Sequence, residues 1–254
     1  MQEPPLPPIC IHLVICAQMA SRLRHPLIDG RLGSCLLGST TPDIRLLSGS
    51  PREETHFFDL ASTSAESGVQ VLFRTHPSLA KGAAQSEATR SFVAGYLSHL
   101  VTDEVWITEI YRPFFGPSSP RGREPAANIL DRLLQFEIDR QVRSGKAQMA
   151  TFQAELEGSE CGVELGFIDA DSLAQWRRFV CGLLAREPDW ERFKFIVRRF
   201  MPEDKADQEK VEPLFSSLPA AATSIFEEVG AGKVEGFIER SVVGSVAAVG
   251  EYLN

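Results

Sequence analysis

The stretch from Phe92 to Trp106, FVAGYLSHLVTDEVW, restricts what this chain can fold into more than any other segment. Apolar Phe92, Tyr96, Leu97, Leu100, Val101, Val105 and Trp106 recur at helical spacing, which predicts a helix with most of its surface buried. His99 and Asp103 are set into that surface four residues apart. On a helix this spacing stacks both side chains on one face, with β-carbons about 5–6 Å apart. An imidazole and a carboxylate so placed can share a metal ion, or hydrogen-bond each other.

A chain of 254 residues can bury a sizeable core, as one large domain or two intimately packed ones. Its net charge of −8 disfavours broad binding to nucleic acid or to anionic membranes. A phosphate-containing substrate stays compatible, because a bound metal dominates the local field. The five cysteines (Cys10, Cys16, Cys35, Cys161, Cys181) form no CxxC pair and are odd in number. They read as buried thiols in a reducing compartment rather than a disulfide framework. The N-terminal MQEPPLPPIC lacks a basic region, and the apolar run after it is broken by His12 and Gln18, so it makes a poor signal peptide. No stretch reaches transmembrane length. The expected location is cytoplasmic.

Read in order, Ile11 to Leu23 is a first buried helix with His12 in its opening turn, closed by Pro26 and Gly30. Leu32 to Leu37 is a short apolar piece. In the GSTTPDI that follows, Thr41, Pro42 and Asp43 make a turn or helix start that leaves the Asp43 carboxylate free to point at a partner. The polar loop SGSPREET leads into His56-Phe57-Phe58-Asp59. A helix from Ser67 to Thr75 ends near His76-Pro77. The central helix runs from Glu87 to Phe115, with Pro113 bending or closing its last turn. GPSSPRGREP is the strongest loop and the best internal boundary. Beyond it, Ala126 to Val142, Ser172 to Ala185, Trp190 to Phe200, Lys210 to Phe215, Ala220 to Val229 and Val234 to Tyr252 read as helices. Period-two alternation is absent, so the fold class is all-α.

All five histidines (His12, His25, His56, His76, His99) lie in the first hundred residues. His12, Asp43, His56, His99 and Asp103 together bring three imidazoles and two carboxylates from four segments. Zinc takes such nitrogens and oxygens, and a catalytic zinc keeps a position open for water. Plainer readings stand beside this one. His12 suits a satisfied core histidine, Asp43 a turn residue or N-cap, and His56 a loop anchor. His25-Pro26 and His76-Pro77 read as loop or helix-end histidines outside the site.

Four segments, IHLVICAQMA, LLGSTTPDI, ETHFFDLA and FVAGYLSHLVTDEVW, resemble the zinc-dependent phospholipase C family, itself distantly similar to the zinc-dependent single-strand nucleases. Their order and separation agree with the family pattern over about the first 115 residues. The resemblance implies that Asp43, His56, His99 and Asp103 surround one zinc, while His12 binds a second ion that Asp103 also reaches. It implies two-metal hydrolysis, with Asp43 as a ligand or as the acceptor of a proton from the bound water.

The chain departs from that family at two places. No histidine follows His99, so the downstream His-x-x-x-Glu zinc site is missing, and no processed N-terminal tryptophan supplies an amino ligand. At most two of the three metal positions are matched. Glu104, Asp131, Glu137 or Asp139 can complete a second site, although each reads first as a solvated helix-face charge.

The expectation is an all-α multi-helix bundle of the phospholipase C and zinc nuclease type. Residues 1–115 form the metal-site core, and 126–254 add C-terminal helices packed on it, as one compact domain overall. The expected activity is metal-dependent hydrolysis of phosphodiesters, with one or two zinc ions (manganese or iron also suit the ligands) and a phosphate ester or phospholipid head group as substrate. The alternative is a non-catalytic helical protein whose structural metal is closed by four protein ligands and which binds a partner. A polar-lined cleft beside His99 would favour the catalytic reading. A nuclease is disfavoured by the acidic charge and the lack of an aromatic-basic stripe.

Overall fold

The structure is a computed structural model that describes residues 8–57, 66–81, 84–198 and 201–254. The proline-rich leader up to Pro7, Phe58 and Asp59 of the His-Phe motif, and the Arg199-Phe200 end of one expected helix lie outside the described residues. Among the described residues all regular structure is helical, as the sequence predicts. None of these helices is long and apolar enough to cross a membrane.

The central helix, Glu87–Trp106, starts where the Ser86 hydroxyl accepts the Thr89 N–H at 3.0 Å, with Glu87 in the first turn favoured by the helix dipole. It is buried on nearly every side because three helices pack against it: Ile9–Leu23, Leu32–Gly38 and the last helix, Ala231–Leu253. From Ile107 it widens into a π-helical segment that runs through Pro113 to Phe115. Pro113 lies in the last turn of this helical run. The chain leaves it where Gly116 N–H reaches back to Tyr111 O at 2.7 Å.

Two glycines set the closest approach. A β-carbon on Gly95 would lie 1.8 Å from the Cys35 carbonyl oxygen, and one on Gly38 would lie 2.0 Å from that of Phe92. The central helix and Leu32–Gly38 thus touch backbone to backbone, which only glycine allows. After that contact Ser39, Thr40 and Thr41 return their hydroxyls to the carbonyls of Leu36 and Leu37 at 2.7–2.9 Å. Trp176 Nε1 donates to Thr40 Oγ1 at 3.0 Å. Together these bonds fix the 3-10 turn Thr41–Ile44 that carries Asp43.

Two apolar cores flank the central helix, and both draw on early and late parts of the chain. One gathers Leu13, Cys35, Phe92, Tyr96, Trp176 and Val249; the other gathers Ile11, Trp106, Ile129, Leu133, Phe215 and Phe237. The polar cluster lies where the first helix, which feeds both, crosses the central one.

Most expected helices are present with shifted ends, as Gly68–Thr75, Ala127–Arg143, Ala170–Leu184, Leu218–Val229 and Ala231–Leu253. Lys146–Glu155 is a helix that the sequence reading passed over, because it follows a glycine and carries little apolar periodicity. The segment read as Lys210 to Phe215 is instead the helix Lys205–Val211, capped by Asp204, followed by a 3-10 turn. The loop SGSPREET ends in a helical turn, Glu53–His56.

Candidate metal centre

His12, Asp43, His56, His99 and Asp103 converge in the structure. Four of them are 0–1 % exposed, and only Asp43, at 9 %, retains contact with solvent. His56 Nε2 lies 3.3 Å from His99 Nε2, and each is 3.5 Å from Asp103 Oδ2. His56 Nε2 is also 3.6 Å from Asp43 Oδ1, and His12 Nε2 is 3.5 Å from Asp103 Oδ1.

All five separations exceed the 2.7–3.2 Å typical of hydrogen bonds with a nitrogen donor. A tetrahedron with bonds of about 2.0–2.1 Å has edges of about 3.3–3.4 Å, close to what is seen here. The ring nitrogens of His12 and Asp103 Oδ1 are buried with no hydrogen-bond partner among the described residues. Buried polar groups are ordinarily bonded, because leaving one unsatisfied costs about 1–3 kcal/mol. The set fits a divalent cation, in the groups His56–His99–Asp103 and His12–Asp43–His99.

The plainer readings hold in part: Asp43 does sit in a turn and His56 does hydrogen-bond within its loop. His12 is not a satisfied core histidine, since neither nitrogen is paired. Asp43 caps nothing and turns toward His56 from inside its 3-10 turn. His56 hydrogen-bonds its neighbour Thr55 through Nδ1 at 3.0 Å, yet its Nε2 points into the cluster.

The bonds behind the cluster orient it. The Ser39 carbonyl can only accept, so His99 Nδ1 donates to it at 2.8 Å and Nε2 faces inward. The Thr55 hydroxyl donates to the Arg52 carbonyl and so accepts from His56 Nδ1–H, which leaves the lone pair on His56 Nε2. Tyr96 Oη in turn donates to the Thr55 carbonyl. Phe57, directly after His56, takes a left-handed conformation at φ 59°, unusual for a side chain of its size. Its ring is held between Phe167 and His76, at centroid distances of 5.8 and 5.5 Å, which secures the turn that aims His56.

Electrostatics separate the three imidazoles. Burial, with His99 adding to it, pushes the His12 pKa down to about 3. Burial and the nearby Arg52 charge push His56 down to about 4. For His99 burial acts downward too, but the Asp103 carboxylate outweighs it and raises the pKa. Asp103 itself is held low: burial opposes ionisation, and His99, Arg52 and His12 overcome it. His12 and His56 therefore stay neutral near pH 7 with lone pairs available, and any proton on His99 Nε2 is the one an ion displaces.

Arg52 escaped the sequence reading. It is 2 % exposed and donates through a terminal guanidinium nitrogen to Asp103 Oδ2 at 2.8 Å. An arginine between proline and two glutamates reads as solvated, and no periodicity marks it otherwise. Three acidic residues read as solvated are in fact buried. Asp131 accepts from Gln135 at 2.8 Å, Glu137 from Arg140 at 2.7 and 2.8 Å, and Asp139 from Arg143 at 3.3 Å. Their helix, Ala127–Arg143, packs against several others and so turns polar faces inward. Glu104 accepts the Gly68 N–H at 2.6 Å at a helix start. None of the four belongs to either metal-ligand group. His25 caps the turn Pro26–Asp29, and His76 stacks on Phe167 at 4.3 Å; both stay outside the site, as expected.

A cleft of about 680 Å3 is lined by Ile44, Thr55, Phe57, His76, Phe167 and Asp169 among others, mostly by apolar surface and by none of the five cluster residues. It is therefore not the polar-lined cleft beside His99 that the catalytic reading expects. It adjoins the sequence neighbours of Asp43 and His56 rather than His99. Comparison with protein-family models, with curated proteins and with solved structures finds no match for the chain.

Proposed function

We propose that this protein is a metal-dependent hydrolase of phosphodiesters. The observation that carries the reading is the convergence of three imidazole nitrogens and two carboxylates at spacings of 3.3–3.6 Å in an almost fully buried cluster. The substrate class comes from the resemblance of four segments to the zinc-dependent phospholipase C family. His56, His99 and Asp103 hold the ion, with zinc the best match to these ligands and manganese or iron as alternatives. When bound, a divalent ion supplies a water of lowered pKa and a positive charge to offset the phosphate.

The chain's own residues do the rest. Asp43, the one member in contact with solvent, accepts the proton of the attacking water through a carboxylate kept ionised by His56 and its neighbours. Ser39 and Thr55 hold the two imidazoles in the orientation that presents Nε2. The cleft receives the ester from the Ile44 and Thr55 side. Glu53, Glu54 and Asp169 on its wall disfavour a polyanionic chain, so a small ester or phospholipid head group suits it better than nucleic acid.

A second reading, a structural metal in a non-catalytic protein that binds a partner, is favoured by the near-complete burial of four of the five residues. Metal-reconstituted protein assayed on a panel of phosphodiesters and phosphomonoesters separates the two. Turnover in wild type and none in Asp103→Ala supports the hydrolase. Metal-loaded wild type that matches Asp103→Ala across the panel leaves the structural reading.

A further inference from the structure

The two ligand groups, His56–His99–Asp103 and His12–Asp43–His99, both require His99. Its Nδ1 is engaged with the Ser39 carbonyl, so one lone pair remains, on Nε2, and one lone pair serves one ion. The ring planes decide which group it serves. His12 stacks on His99 with centroids 3.8 Å apart and planes at 13°. An ion bonded in the plane of His99 lies off the plane of His12, where that ring has no lone pair to offer. His56 instead meets His99 at 65°, and the two Nε2 atoms are 3.3 Å apart, so these rings converge on one point.

Charge points the same way. The Arg52 guanidinium, 2 % exposed, lies 2.8 Å from the same Asp103 oxygen that faces His56 and His99. Two divalent ions beside Arg52 would set five positive charges against two carboxylates in a desolvated space. One ion and Arg52 set three against two, which a single hydroxide or anionic ligand balances.

We infer that the cluster is a one-ion site on His56, His99 and Asp103, that Arg52 takes the electrostatic place of a second ion, and that His12 stays outside the coordination. This rests on the metal reading proposed above and narrows it.

The test is zinc titration of the chelated full-length chain, with bound ions counted by native mass spectrometry and affinity measured by competition with a chelating dye. Wild type and His12→Ala should each saturate at one ion, and His99→Ala at none. Arg52→Gln keeps a donor for Asp103 but loses the charge, so it should bind zinc at least about tenfold tighter, while Arg52→Lys stays within about threefold of wild type. Circular dichroism checks each fold, and Arg52→Met replaces Arg52→Gln should the latter not fold. Two ions in wild type, with one lost in His12→Ala, would overturn the inference. So would weaker zinc binding by a folded, uncharged Arg52 variant, which would make Arg52 a positioning residue for Asp103. A wild type that binds no zinc would refute the underlying metal reading instead.

Discussion

Asp103 and Asp131 are both fully buried, one on the central helix and one on Ala127–Arg143, yet their surroundings drive them in opposite directions. Around Asp103, burial is outweighed by His99, Arg52 and His12, and the carboxylate stays charged. Around Asp131, burial dominates, the help of Arg132, Trp106 and Gln135 does not match it, and the pKa rises well above the usual carboxylate range. Each has one oxygen with a donor at 2.8 Å, Arg52 for Asp103 and Gln135 for Asp131, and one oxygen without a hydrogen-bond partner among the described residues. But Asp103 faces three imidazole nitrogens at 3.5 Å, whereas Asp131 lies beside the apolar core of Ile129, Leu130 and Leu134. Burial alone therefore does not mark a functional carboxylate. What sets Asp103 apart is a set of imidazole and carboxylate atoms held at coordination spacing, which Asp131 lacks.

The comparison breaks most directly by mutation. Asp103→Ala removes the carboxylate that Arg52 and three imidazoles face, and should cost about 3–5 kcal/mol, as for one partner of a buried ion pair. Asp131→Asn keeps the shape of a side chain whose charged form burial disfavours, and should change stability by less than about 1 kcal/mol. Urea unfolding measures both, and equal costs would dissolve the distinction.

Gly95→Ala attacks the geometry behind Asp103. With a β-carbon 1.8 Å from the Cys35 carbonyl, the two helices must part, at a cost of about 1–3 kcal/mol or more. The Ser39 carbonyl then withdraws from His99, so zinc affinity should fall together with melting temperature. A melting temperature lowered at unchanged affinity would separate helix packing from ring orientation.

Acid sharpens the contrast further. His12 and His56 have folded pKa values of about 3 and about 4, below the ordinary 6.5. The unfolded chain therefore binds protons first, and their contribution is present above about pH 6.5 and lost progressively as pH falls toward 4 and then 3. His99, with its raised pKa, contributes in the opposite sense and loses its share as pH rises. Asp131, also raised, loses its share as pH climbs above the unfolded carboxylate value of about 4. The urea midpoint of chelated protein should drop between pH 6.5 and 4, less steeply in His12→Leu. A midpoint flat over that range would contradict the assigned protonation states. The smallest effect on metal binding belongs to His76→Ala, which should lose about 0.5–1.5 kcal/mol of stacking on Phe167 and no metal.

The sequence made part of this legible. Helical spacing placed His99 and Asp103 on one face of a buried helix, and that face is where the structure has them. The all-helical class followed from the missing two-residue alternation. Convergence of His12, Asp43 and His56 on that pair depended on contacts between distant segments, such as Gly95 against Cys35, which no local pattern encodes. Arg52 was invisible for the same reason: its burial comes from the fold around it. Asp131, Glu137 and Asp139 misled because acidic residues three or four positions from Arg or Gln look like a solvated face. Here the carboxylates are buried on a helix packed against several neighbours, although Arg140, the partner of Glu137, stays exposed.

The most direct measurement of the central claim is X-ray absorption at the zinc edge of reconstituted, desalted wild-type protein. The proposed site predicts two imidazoles and carboxylate or water oxygens at about 2.0–2.1 Å, with no sulfur in the shell. The main competing ligands are the buried thiols of Cys16 and Cys35, whose sulfurs lie 3.4 Å apart. A sulfur shell at about 2.3 Å, or no zinc retained after desalting, would contradict a metal centre built on His56, His99 and Asp103.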